Sequence, residues 1–134
     1  MSIGRLAIAL LASGFAVSMT DWFFGGVLFH ERYLAYPEVW RRRAGQPGEG
    51  QAIAWAILLG FVTCVIFIIT CLWLGIHGYA ASMKLAGAVW LIAPLPLLIT
   101  NALFIKLHPL NVVANALGWL VKLLIAAAAA GWAG

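Results

Sequence analysis

The sequence predicts an all-α membrane protein, an up-down bundle of four transmembrane helices forming one domain over residues 1–134. Three observations lead there. Apolar residues make up 65% of the chain and charged residues only 9%, against about 45–50% and about 25% in soluble domains. A small water-soluble fold leaves much of its surface exposed and could not hide that much apolar area, so lipid is the expected solvent. Four apolar runs, at 6–29, 52–76, 85–105 and 110–132, each reach the roughly 20 residues needed to cross about 30 Å of hydrocarbon. The last two connections, 77–84 and 106–109, are short enough to make neighbouring helices antiparallel.

The first run opens with Arg5 like a secretory leader. It continues to Phe29, longer than a leader's apolar core, and so reads as an uncleaved span. Asp21 interrupts it. The loop that follows, 30–51, carries Tyr33, Tyr36 and Trp40 beside Arg41, Arg42 and Arg43 and ends in a glycine-rich stretch, which suits an interfacial segment. The second run holds no charge. Its Gly60, Cys64, Phe67, Cys71 and Gly75 fall on one helical face and read as a small-residue packing seam. The two cysteines lie about 10 Å apart along a helix, too far to bridge each other. In the third run Pro94 and Pro96 remove two helical hydrogen bonds near mid-membrane, which predicts a kink or a loosened segment. The fourth run is interrupted by Lys122.

Basic residues set the expected orientation. Arg32, Arg41, Arg42, Arg43 and Lys106 lie on one side and Arg5 and Lys84 on the other. Five against two places the first and third loops in the cytoplasm and both termini outside, in a bacterial inner membrane. The net charge of +4 does not indicate nucleic-acid binding, because no basic stripe interleaved with aromatics lies on a solvated face.

Ionisable groups in hydrocarbon cost at least about 2.5–3.5 kcal/mol each, so Asp21 and Lys122 are the most informative residues. Gly14, Ser18, Asp21 and Gly25 share one face of the first helix; Asn111, Asn115, Gly118 and Lys122 share one face of the fourth. Asp21 lies about 12 Å from the cytoplasmic end of its span and Lys122 about 18 Å from the cytoplasmic start of its own. Side chains lean toward the helix N-terminus, so on antiparallel helices these two lean toward each other. A long lysine side chain reaches the remaining gap, which predicts an ion pair. Asn101, on the same side of the third helix as Gly87 and Pro94, adds a third polar wall. Asp21, Asn101, Asn111, Asn115 and Lys122 form the expected ligand or ion pathway, with Trp22, Trp90 and Trp119 as expected pocket-lining residues.

No catalytic residue is assigned: the chain has no Gly-x-Ser-x-Gly, His-Glu-x-x-His, Cys-x-x-Cys or phosphate-loop motif. Nor is a cofactor or metal expected, because the spacing of His30, Glu31 and His108 matches no ligand motif. The segment Trp22-Phe-Phe-Gly-Gly26-Val-Leu-Phe29 closing the first span and Thr100-Asn-Ala-Leu-Phe104 closing the third resemble an uncharacterised bacterial family of small four-span proteins catalogued as domain of unknown function 1761. That resemblance implies the four-span fold and no activity.

Three functions follow as expectations. First is a non-enzymatic membrane protein that binds or passes a small polar or ionic solute through the intramembrane polar site. Second is a scaffold or accessory subunit whose polar groups only fix helix packing, and third an enzyme acting on a lipid or isoprenoid. Besides membrane lipid, a second copy or a membrane-protein partner is expected, through the smooth surface of 126–131 or through the Gly60/Cys64/Cys71/Gly75 seam.

Overall fold

The computed structural model describes residues 2–23, 49–105 and 109–134, and among them there are five helices and no strand. They are α1 (Ile3–Trp22), α2 (Glu49–Trp73), α3 (Tyr79–Ile92), α4 (Pro94–Phe104) and α5 (Pro109–Ala133). Helices α3 and α4 run on as a single span, so four spans are long and apolar enough to cross a membrane: Ile3–Trp22, Gly50–Trp73, Tyr79–Phe104 and Pro109–Ala133. Large apolar side chains such as Phe15, Ile66, Ile92 and Phe104 stand exposed along them. This is the inverse of a soluble protein, and the chain is an all-α, multi-pass membrane bundle.

Local chemistry sets the ends of these helices. Ser2, in extended conformation, accepts the Arg5 N–H at 3.2 Å and caps α1. At the end of α2, the Ile76 N–H reaches the Cys71 carbonyl (2.8 Å) and the Gly75 N–H reaches the Leu72 carbonyl (3.1 Å). Gly75 has a φ of +65°, so this is the glycine-centred stop that an achiral residue makes easy. Gly75 therefore belongs to the turn, and the seam read along that face ends at Cys71. Pro94 and Pro96 break the third span as their chemistry requires. Ala93 leaves helical geometry (φ −118°, ψ −73°) and α4 restarts at Pro94, where a missing N–H is harmless.

The start of α1, the α2–α3 turn and the end of α5 gather at one end of the bundle. There Arg5 Nη2 donates to the Trp132 carbonyl at 2.8 Å, with the guanidinium 5.0 Å from the Trp132 ring centroid. Helix α5 is the axle, packed against all four other helices. Small residues allow this: Ala114, Gly118, Ala126, Ala127 and Ala130 are all buried, which lets backbones approach closely. The approach is tightest at Gly131, where a Cβ would stand 2.9 Å from Tyr79 Cα. On the other side α1 and α2 interlock, Gly14 under the Phe61 ring and Gly60 under Val17. Cys64 and Cys71 are buried and unbridged. The two surfaces expected to support self-association are thus mostly consumed inside a single chain, because a five-helix arrangement around α5 needs its smooth faces internally.

Candidate intramembrane polar site

The first and last helices bring the two intramembrane charges together. Lys122 Nζ lies 3.1 Å from Asp21 Oδ2, and the same ammonium sits 4.4 Å from the Trp119 ring centroid. The i, i+3 spacing on α5 puts Trp119 beside Lys122, so one lysine is held by a carboxylate from α1 and an aromatic face from its own helix. Burial is unequal: the Lys122 side chain is 12% exposed and that of Asp21 36%. An ammonium so deeply placed needs a counter-charge and an electron-rich face in place of its hydration, and it has both.

Around the pair, α1 satisfies its own hydroxyls. Ser18 and Thr20 donate to the Gly14 and Ala16 carbonyls, both at 2.9 Å. Toward the end where the chain termini lie, the next residues on the Lys122 side of α5 are Ala126 and Ala130, both buried. Cys64 of α2 lies beside Ser13. In that direction the contact is nearly apolar, and a groove of about 330 Å³ runs between Ile8, Ala9, Ala12 and Ser13 of α1 and Ile125, Ala129 and Trp132 of α5.

Toward the opposite end two asparagines continue this face of α5. Asn115, two turns from Lys122 on the same face of α5, is exposed, and its Nδ2 donates to the Asn111 carbonyl at 2.9 Å. Asn111 is 5% exposed, and its Oδ1 is buried with no hydrogen-bond partner. Such an acceptor is left short of a donor. Asp21 and Lys122 thus meet as their spacing predicts, while Asn111 and Asn115, on the Lys122 side of α5, have no described bond to either charge.

The other expected site residues go elsewhere. Asn101 is half-buried on α4 and bonds to neither charge; its carbonyl accepts the Ile105 N–H at 2.8 Å. Trp22 is 60% exposed and lines neither groove of the bundle. Trp90 crosses from α3 to α5, where its Nε1 donates to the Ala116 carbonyl at 2.9 Å, so it acts as a strut. Trp119 alone of the three lines a cavity, the apolar cleft described below. Gly25, His30, Glu31, Arg32, Tyr33, Tyr36, Trp40, the three arginines 41–43, Lys106 and His108 lie outside the described residues. Among the described residues no cluster of histidine, cysteine or acidic side chains could hold a metal ion.

Sequence reasoning missed the Arg5–Trp132 tie and the two serines beside the cysteines, Ser13 by Cys64 and Ser82 by Cys71. Their signal was present in principle, as isolated hydroxyls on otherwise apolar faces. What could not be read was which helix each would meet. The chain matches no protein-family model, no curated protein and no solved structure, so the site is read from its own chemistry.

Proposed function

We propose that this is a non-enzymatic bacterial inner-membrane protein that binds a small polar or ionic solute at the Asp21–Lys122 pair. In this reading both termini lie outside the cytoplasm and the site opens toward it. The observation that carries the proposal is the unequal burial of an intramembrane charge pair, 12% for Lys122 and 36% for Asp21. On one side of the pair α5 continues with the buried Ala126 and Ala130, and on the other with the exposed Asn115 and the unpartnered Asn111 Oδ1. Ionisable groups at such depth are functional by default. A polar stripe that stops at mid-membrane suits a one-sided binding site better than a through-going pore.

Accessibility tests this. Asn115→Cys and Ser18→Cys, each in a Cys64→Ser/Cys71→Ser background, are expected to react with a small cationic thiosulfonate reagent added from the cytoplasmic side. Ala126→Cys is expected to stay unreactive. Failure of both Asn115→Cys and Ser18→Cys to react from either side would defeat the solute-site reading. For orientation, cysteines introduced at Gly48 and Gly134 should label oppositely in intact cells, only Gly134→Cys reacting with an impermeant maleimide.

A second reading, a scaffold in which the pair is a clasp between α1 and α5, has its own support. Lys122 is engaged on two sides, by the Asp21 carboxylate and the Trp119 ring. Under that reading, removing both charges restores stability and leaves the cellular phenotype intact.

A further inference from the structure

The hydrogen-bond donors around the Asp21–Lys122 pair are already spent. On α1, Ser13, Ser18 and Thr20 give their hydroxyl hydrogens to the Leu10, Gly14 and Ala16 carbonyls, at 3.2, 2.9 and 2.9 Å. The Lys122 ammonium rests on Asp21 Oδ2 and over the Trp119 ring, with its side chain only 12% exposed. Farther along α5, Asn115 gives an amide hydrogen to the Asn111 carbonyl. What these bonds leave uncommitted is oxygen. The ion pair takes Oδ2 of Asp21, and no bond among the described residues takes Oδ1 of this half-buried carboxylate. Ser18, one turn away on the same face of α1, is half-buried and keeps the lone pairs of its Oγ. Asn111 Oδ1 has no donor either.

This inventory fixes the sign of the charge that suits the site. A ligand that meets free acceptors beside a carboxylate, and no free hydroxyl or ammonium hydrogen, binds by bringing positive charge of its own. An anion would have to reach Lys122, which is the deeper of the two charges and is held on two sides. The size of the charge is restricted as well. Asp21 is the one acidic residue within the four spans, and Lys122 already balances it. Divalent cations gather many oxygen ligands, carboxylates among them, which one shared carboxylate does not supply. The carboxylate already holds a monovalent cation, the ammonium of the chain's own lysine.

We propose that the solute is a small monovalent cation, an alkali ion or a primary ammonium, which takes the Asp21 carboxylate in competition with the tethered ammonium of Lys122. This inference rests on the solute-site reading and adds to it the sign and size of the charge. Lys122 is then the rival of the solute and not its ligand. When the cation is seated, the ammonium gives up Oδ2 and keeps the Trp119 ring face. The site is competent only while the lysine lets go, so Lys122 lowers the affinity it would otherwise have.

Titration calorimetry on the full chain in mild detergent tests it, with NaCl, KCl or methylammonium chloride set against choline chloride at equal ionic strength. At least one of the three small cations is expected to bind wild type saturably and to raise its melting temperature, as a ligand of the folded state does. Choline nitrate and choline phosphate, which vary the anion alone, should do neither. Asp21→Asn should weaken cation binding at least about tenfold, as loss of one member of a close charge pair does. Lys122→Met should tighten it, and Lys122→Gln serves where Lys122→Met does not fold. Leu103→Ala, on an exposed face elsewhere, should leave it unchanged. A variant counts only if its far-UV circular dichroism matches wild type, and the comparison of salts on wild type needs no variant. Cation binding that survives in Asp21→Asn, or that weakens in both Lys122 variants, would overturn the proposal. So would binding of an anion in place of the cations. If no ion of either sign binds while Asn115→Cys or Ser18→Cys still reacts from the cytoplasmic side, the cation falls and the solute site stands. If both labels fail as well, the two readings fall together.

Discussion

On its α1 side, α5 presents Lys122, Ile125, Ala129 and Trp132, and α1 answers with Asp21, Ser13, Ala12 and Ala9. The result is a close contact cross-linked by a 3.1 Å ion pair. On the side between α2 and α3–α4, α5 presents Trp119 and Leu123, flanked by Phe67 and a proline-broken span, and a cleft of about 490 Å³ stays open. Lipid tails are as apolar as leucine, so helices in a membrane associate through packing and polar contacts and not through hydrophobic expulsion. Small residues and paired charges draw one flank together around a groove of about 330 Å³, while bulk and a helix break leave a wider cleft on the other. The same helix thus serves as a rigid seam and as the floor of an accessible cleft.

If the closed regions owe their closure to small residues, the largest loss should come from Gly131→Leu. Its Cβ would meet the Tyr79 backbone at 2.9–3.0 Å, and backbone cannot rotate away. Thermal unfolding should show destabilisation at or above the about 1–3 kcal/mol usual for overpacking. Gly14→Ala should cost less, because there the obstacle is the movable Phe61 ring. A Gly131→Leu protein as stable as wild type would mean that α3 and α5 do not approach as described. Trp90→Phe sharpens the comparison by removing the one side-chain hydrogen bond between α3 and α5 among the described residues. It should cost about 0.5–1.5 kcal/mol, the net worth of an ordinary hydrogen bond. The smallest effect is expected from Arg5→Gln at the exposed end, at most about 1 kcal/mol from the lost guanidinium–indole and carbonyl contacts. A larger loss would show that the α1–α5 seam depends on its end and not on its middle.

Much of this was legible in the chain. Span number follows from apolar length, the break at Ala93 from Pro94 and Pro96, and the Asp21–Lys122 pair from helical spacing and side-chain lean. These are local properties that a neighbour cannot easily override. The span limits moved by a few residues where caps decided them, as at Gly75, which terminates α2 in the left-handed conformation. Other features depend on which helix meets which. The alanines at 126–130 look the same in sequence whether they face a second copy or α1 and α3, and the structure turns Ala126, Ala127 and Ala130 inward. Trp90 and Trp119 are equally deep in sequence, yet one becomes a strut and the other the floor of a cleft. The cleft itself had no sequence signal, because it is defined by two helices failing to meet.

The central claim is that Asp21 and Lys122 act as a unit within the closed seam, and a double-mutant cycle on thermal stability in mild detergent tests it most directly. Asp21→Asn strands an ammonium that is only 12% exposed, whereas Lys122→Met strands a carboxylate that is 36% exposed and keeps apolar packing on Trp119. The first should therefore cost more than the second, since an uncompensated charge is costlier the deeper it lies. The double variant should recover part of the loss, with a coupling energy of about 0.5–3 kcal/mol, the range for groups in contact. Losses that simply add, or a double variant less stable than the sum of its parts, would contradict the pair and with it the closed seam and the site built on it.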